Sequence, residues 1–272
     1  MTTQFRTAYV AFDDQAQSPR TVAGTLRVPR LDDSPSPGVA AVVICHGSDG
    51  VDGRGEFHAA ALNDAGIATL EIDMWAARGT TRGAAARPGS PIDTLPDAFA
   101  ALRFLGAQPE VDPGRIGIMG FSWGGVVTLL SATRRHCDRL RGDAPAFAAH
   151  AAFYPVCWAY ARVPALALTD LTGAPILIQT GDADGYDAPD GGERLIEALR
   201  AAGVDHVRGV TYKGAGHGFD RDLPPQTVVD PFAHQGAGGP VLMAFDPAAA
   251  AAARAEVCGF FVEALAATLS RT

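Results

Sequence analysis

Apolar positions along this chain follow two spacings that trade places in a regular order. "RTAYVAF" and "TVAGTLRVP" read as two early strands, an antiparallel start. A Pro/Ser-rich surface loop, "DDSPSPG", separates them from "VAAVVIC", a continuous β-branched run expected of a strand buried on both faces. "GEFHAAALNDAG" reads as a helix closed by Gly66, and "IATLEIDM" as the next strand. In "TLPDAFAALRFLGAQ" Leu95, Phe99 and Leu102 stand at helical spacing. "RIGIMGF" is then a strand and "GGVVTLLSATRR" a helix, with "FAAHAAFYPV", "PILIQTGD" and "HVRGVTYKG" as three further strands. "ERLIEALRAAG" and the Ala-rich "PAAAAAARAEVCGFFVEALAATL" supply the last helices. Strand alternating with helix predicts an α/β fold: a mostly parallel central sheet of about eight strands, covered by helices on both faces. No internal repeat interrupts the pattern, so residues 1–272 read as a single domain.

One turn in this pattern carries chemistry. Gly120-Phe121-Ser122-Trp123-Gly124 fits G-x-S-x-G directly between a strand and a helix. A serine there sits in a strained turn that lifts its hydroxyl above the strand ends. The glycines, Gly125 included, let strand and helix approach closely. The helix N-terminus also offers unpaired N–H groups where an oxyanion would develop.

A serine hydroxyl needs a base, and the base needs an orienting acid. Later strand ends provide both in the order the chemistry requires. "ILIQTGDADGYD" offers Asp182, Asp184 and Asp187; Asp184 is the expected acid, with Asp182 as the alternative that serves the local turn. "VTYKGAGHGFD" offers His217 as the base. His136 and His150 come too early, His206 precedes its strand, His58 falls in a helix and His234 lies in a late loop. The oxyanion donors are expected to be the backbone N–H groups of Trp123 and of Ser48 in "ICHGSDG", with His46 structural. Arg78, Arg82 and Arg87, in "ARGTTRGAAARPG", are candidates to receive a substrate carboxylate, against the alternative of solvated surface charge.

Composition narrows the rest. Hydrophobic residues make up 47% and charged residues 19%, enough for a packed core. A net charge of −8 argues against nucleic acid or an anionic membrane as partner. The N-terminus lacks the basic start and apolar core of a signal peptide, and no apolar run approaches the roughly 20 residues of a membrane helix. Cys45, Cys137, Cys157 and Cys258 are widely spaced, so reduced thiols and a cytoplasmic location are expected. The three arginines Arg134, Arg135 and Arg139 would depress the Cys137 thiol, although no base lies nearby. No metal or cofactor signature is found, and oligomeric state is not readable from one chain.

In these motifs the chain resembles the dienelactone hydrolase family of the α/β-hydrolase fold. The resemblance runs from "VVICHGSDGVDG" through "GIATLEIDMWAARG", "RIGIMGFSWGG", "AAFYPVC" and "TGDADGYDAPD" to "YKGAGHGFDRD" and the closing helix. It implies an ester or lactone hydrolase. Two departures stand out: the best-known members carry a cysteine where this chain has Ser122, and a glutamate where it has Gly47. Losing both fits a general serine esterase better than a true dienelactone hydrolase. A thioesterase or peptidase would use the same triad, and a non-catalytic binding protein would keep the fold alone. "WAYARVPALALTDLTG" is too short for a lid domain, so small soluble esters are the expected substrates. The Gly/Pro-rich segment from Leu223 to Pro240 is expected to be a long irregular loop at the mouth.

Overall fold

The computed structural model describes residues 4–16, 18–30, 38–80, 83 and 86–266. Eight strands form one sheet in the order β1-β2-β4-β3-β5-β6-β7-β8. They are β1 (Phe5–Asp13), β2 (Thr21–Pro29), β3 (Val39–Cys45), β4 (Ala68–Asp73), β5 (Val111–Phe121), β6 (His150–Phe153), β7 (Ile176–Gly181) and β8 (Val207–Tyr212). β1 pairs antiparallel with β2, and β2 antiparallel with β4; the other neighbours are parallel. This is the expected α/β-hydrolase architecture, with eight strands as predicted.

The buried runs explain the layering. In β3, Val39, Ala41, Val43 and Cys45 pack into one apolar cluster, while Ala40, Val42 and Ile44 pack into another. Successive side chains of a strand point to opposite faces, so a strand covered twice must be apolar throughout. The first cluster includes Leu95, Phe99 and Leu102 of α2 (Leu95–Gly106) and Val127 and Leu130 of α3 (Trp123–Ser131). The second takes Ala59 and Leu62 of α1 (Arg54–Asp64) and Phe260 and Phe261 of the C-terminal helix Pro247–Ala266. No helix of the described residues is long and apolar enough to cross a membrane.

Two segments depart from the sequence pattern. The helix after Ser122 does not run on to Arg135. It stops at Ser131, and α4 (Arg134–Leu140) starts afresh. Thr133 is extended, its hydroxyl bonds the Leu130 carbonyl, and the Arg134 and Thr172 N–H groups pair with the Asp170 and Ala132 carbonyls. A threonine hydroxyl that competes for the backbone, with a passing chain to take the freed groups, breaks the helix. Leu223 to Pro240 is not an irregular loop either. Within it and just beyond, β9 (Gln226–Asp230) pairs antiparallel with β10 (Gly239–Met243). Between α4 and this hairpin lie a single turn, α5 (Ala159–Arg162), and α6 (Gly191–Ala201). The hairpin tip holds another short turn, α7 (Ala233–Gly236), which makes the C-terminal helix α8.

The chain steps from β3 outward to β4, then jumps back across β3 to β5. Strand order reverses there, so the loop after β3 and the loop after β5 diverge and open a crevice at the carboxyl ends. The candidate site occupies that crevice.

Candidate active site

Ser122 joins β5 to α3 with φ 50° and ψ −109°, a backbone state that only a tight surrounding frame maintains. Its frame leaves no room for side chains. A Cβ on Gly120 would come 2.3 Å from the Gly124 carbonyl oxygen, and one on Gly124 would come 2.1 Å from that of Cys45. The glycines of the motif are therefore demanded by backbone contact between strand and helix.

The two partners arrive on separate loops. His217 Nε2 lies 2.8 Å from Ser122 Oγ, and its Nδ1 lies 2.8 Å from Asp184 Oδ2. A carboxylate only accepts, so Nδ1 carries the proton and Nε2 is free to accept from the serine hydroxyl. Asp184 is itself oriented: its Oδ1 accepts the Tyr186 N–H at 2.8 Å. The imidazole is held between two rings, Tyr186 with centroids 4.2 Å apart and Tyr154 edge-on at 4.8 Å. Asp182 sits elsewhere, accepting the Gly214 N–H and so tying the end of β7 to the loop that carries His217. Asp187 accepts from the Cys157 and Trp158 N–H groups at 2.7 and 2.8 Å, anchoring the segment that leads into α5. Burial, reinforced by the Asp184 charge, pushes its carboxyl up to about 6.

The loop after β3 is fixed by its carbonyls. His46 Nε2 accepts the Met74 N–H at 2.9 Å, so its Nδ1 is the protonated nitrogen, and it donates to the Gly47 carbonyl at 2.8 Å. The Gly50 N–H donates to the same oxygen. In a trans peptide the N–H points opposite to the C=O, so the Ser48 N–H faces away from His46. Trp75 Nε1 and the Gly83 N–H hold the Ser48 carbonyl in turn. Burial pushes the His46 imidazole down to about 4, which keeps it neutral. Trp123 is the first residue of α3, where an N–H has no partner within the helix. Ser48, Ser122 and Trp123 border one cavity.

At Gly47, where the best-known relatives carry glutamate, a Cβ would stand 3.1 Å from the Arg54 guanidinium and 3.3 Å from the Phe121 carbonyl oxygen. Arg54 is buried and ion-paired with Asp52 at 2.7 Å, and it donates to the Tyr154 hydroxyl at 3.2 Å. That hydroxyl donates to Asp220, which also takes a bond from His58 Nε2 at 2.8 Å. Burial alone would raise the Asp220 carboxyl, but the His58 bond and charge, the Arg54 charge and the Tyr154 bond hold it below the usual carboxylate range. This network backs the His217 ring through Tyr154. His58 and Asp220 gave no sign of it in the sequence, being 162 residues apart.

The three loop arginines separate. Arg78 does not reach the site: its guanidinium is spent on Asp97 and on the Met74 and Asp93 carbonyls, with its side chain 8% exposed. A buried pairing of that kind leaves nothing for a substrate, which corrects the expectation for Arg78. Arg82 lies outside the described residues. Of the two described, Arg87 borders the cavity beside Ser122, and it is paired with Asp230 of β9. The Cys137 thiol shifts opposite to expectation: burial pushes it up despite the arginines.

The sheet, its helices and the crevice above Ser122 define an α/β-hydrolase fold. A model of the dienelactone hydrolase family matches residues 33–265, and the chain belongs to that family. Membership supports a hydrolase that acts on esters. An uncharacterized Mycobacterium tuberculosis protein is 29% identical over 201 residues, 70% of this chain and 67% of its own. Among solved structures, the dienelactone hydrolase-like promiscuous phosphotriesterase P91 from metagenomic libraries superposes with TM-score 0.65. It is 22% identical and covers 96% of this chain and 98% of its own. A Pyrobaculum calidifontis esterase follows with TM-score 0.59, 16% identity, and 95% and 85% coverage. At such identities the structural likenesses speak for the fold.

Proposed function

We propose that this protein is a serine carboxylic ester hydrolase acting on small soluble esters or lactones through an acyl-enzyme on Ser122. The observation that carries this reading is the unbroken line Ser122 Oγ, His217 Nε2, His217 Nδ1, Asp184 Oδ2, in which both hydrogen bonds to the imidazole are 2.8 Å long. Ser122 Oγ bonds the carbonyl carbon while its proton passes to His217 Nε2, and the Asp184 carboxylate stabilises the resulting imidazolium. The Ser48 and Trp123 N–H groups receive the oxyanion. As the tetrahedral species collapses, the C–O bond to the alcohol breaks and the departing oxygen takes the proton from Nε2. Water then repeats the sequence on the acyl-enzyme: its proton goes to Nε2 and on to Ser122 Oγ, and the acid is released.

Thioesters and amides would engage the same groups, so the leaving group is the point to test. With the butanoyl group held constant, p-nitrophenyl ester, thioester and p-nitroanilide are compared by kcat/KM. The ester is expected to lead the anilide by at least about 10^3-fold. A thioester turned over more than tenfold faster than the ester would instead make the protein a thioesterase.

A further inference from the structure

Ser122 stands where two cavities meet, and they differ in kind. One, of about 140 Å3, extends from Ser122 and Trp123 past Val126, Val156, Val163 and Leu166. The other, of about 270 Å3, is bordered by His217, Asp49, Arg54, Arg221 and Asp230. His217 lines the second and not the first.

The chemistry assigns them. His217 Nε2 must hand its proton to the departing alcohol oxygen, so the alcohol half of an ester lies on the His217 side. The water that ends the cycle loses its proton to the same nitrogen and enters by the same polar cavity. The acyl half, bonded to Ser122 Oγ and facing away from His217, is left with the apolar cavity.

Among the described residues, Arg87 is the one charged residue bordering that apolar cavity. It donates to both Asp230 oxygens at 2.7 and 2.9 Å and to Ser48 Oγ at 3.0 Å. The Trp123 and Phe232 rings lie 5.5 and 5.2 Å from its guanidinium carbon. Tyr186 OH and the Phe232 N–H also donate to Asp230. Burial raises the Asp230 carboxyl, but the Arg87 bonds and the Phe232 N–H hold it below the usual carboxylate range, so it is ionised at neutral pH. A free arginine here would welcome a carboxylate at the far end of an acyl chain. This one already has its carboxylate.

We infer that the acid half of the substrate is a compact, uncharged, apolar acyl group seated between Trp123, Val126, Val163 and Leu166, and that Asp230 excludes acyl carboxylates by occupying Arg87. The inference rests on the proposed ester hydrolysis and names its substrate class. An apolar cavity near 150 Å3 admits a benzene ring in another protein, so a six-carbon acyl chain suits this one. Each buried methylene is worth about fourfold in kcat/KM.

The test uses p-nitrophenyl acetate, p-nitrophenyl hexanoate and mono-p-nitrophenyl adipate, which share one leaving group. For the wild type, hexanoate, with four further methylenes, should exceed acetate by about 10^2-fold, and adipate should fall below hexanoate by about tenfold or more. Ala159→Phe and Val163→Phe, which fill the apolar cavity, should each cut the hexanoate-to-acetate ratio about tenfold. Asp230→Asn, with Asp230→Ser as a second form, should raise the adipate-to-hexanoate ratio about tenfold. Thermal melts identify the variants that stay folded. Turnover of acetate with these ratios unmoved in folded variants, or with adipate preferred by the wild type, overturns the acyl assignment alone. No turnover of any ester, acetate included, overturns the ester reading together with it.

Discussion

Ser122→Ala is expected to lose at least about 10^4-fold in kcat on p-nitrophenyl butyrate, on the scale of nucleophile removal in another serine hydrolase. The buried cysteines are poor substitutes for it. Cys45 lies inside β3 with burial holding its thiol far above the ordinary range, and Cys137 and Cys157 are buried and raised as well. What remains in the variant is whatever the Ser48 and Trp123 N–H groups give by polarising a bound carbonyl. The fold should be unaffected. Among the described residues Ser122 Oγ bonds His217 alone, and alanine tolerates φ 50° no worse than serine does. A thermal midpoint within a few degrees of wild type, with kcat gone, separates lost chemistry from lost structure. A folded variant that keeps kcat within tenfold would remove Ser122 from the mechanism.

The second large effect belongs to the acid, and it discriminates between neighbours. Asp184→Asn is expected to cost about 10^3- to 10^4-fold in kcat. An amide in place of the carboxylate no longer stabilises the imidazolium. If its NH2 faces Nδ1 it also selects the tautomer in which Nε2 is already protonated and cannot act as base. Asp182→Asn should cost far less, because the Asp182 carboxylate meets a backbone N–H at Gly214 and not the imidazole. Steady-state kcat for both variants decides the matter. A loss in Asp182→Asn equal to that in Asp184→Asn would contradict the assignment of the acid.

The sequence carried the sheet well where burial leaves little choice. β3, β6 and β7 are buried at every position, so their apolar runs admit only a covered strand. The frame of Ser122 was legible for a related reason: Gly120 and Gly124 stand where any Cβ would strike backbone, and the motif records that constraint. Features set by distant chain were not legible. The break at Thr133 depends on residues 170–172 arriving to take its freed hydrogen bonds. The hairpin of β9 and β10 is rich in glycine and proline and points Val229 and Leu242 outward. Only Val241 and its neighbours, packed near Tyr186, give it an inner face.

Among the loop arginines, sequence offered Arg78 and Arg82 ahead of Arg87. What separates Arg78 from Arg87 is which carboxylate lies opposite: Asp97 on α2 for one, and Asp230 on β9, 143 residues away, for the other. No local pattern encodes that pairing. Tyr154 and Tyr186 escaped notice for the same reason, since a ring that clamps an imidazole looks like any core aromatic until both are placed.

If Ser122 is a nucleophile activated by His217, covalent labelling will find it. The protein is treated with a fluorophosphonate, digested, and the modified peptide identified by mass spectrometry. One adduct is expected, on Ser122, formed by the wild type and abolished in both Ser122→Ala and His217→Ala. Folded wild-type protein that stays unlabelled, or an adduct on any other residue, would contradict it.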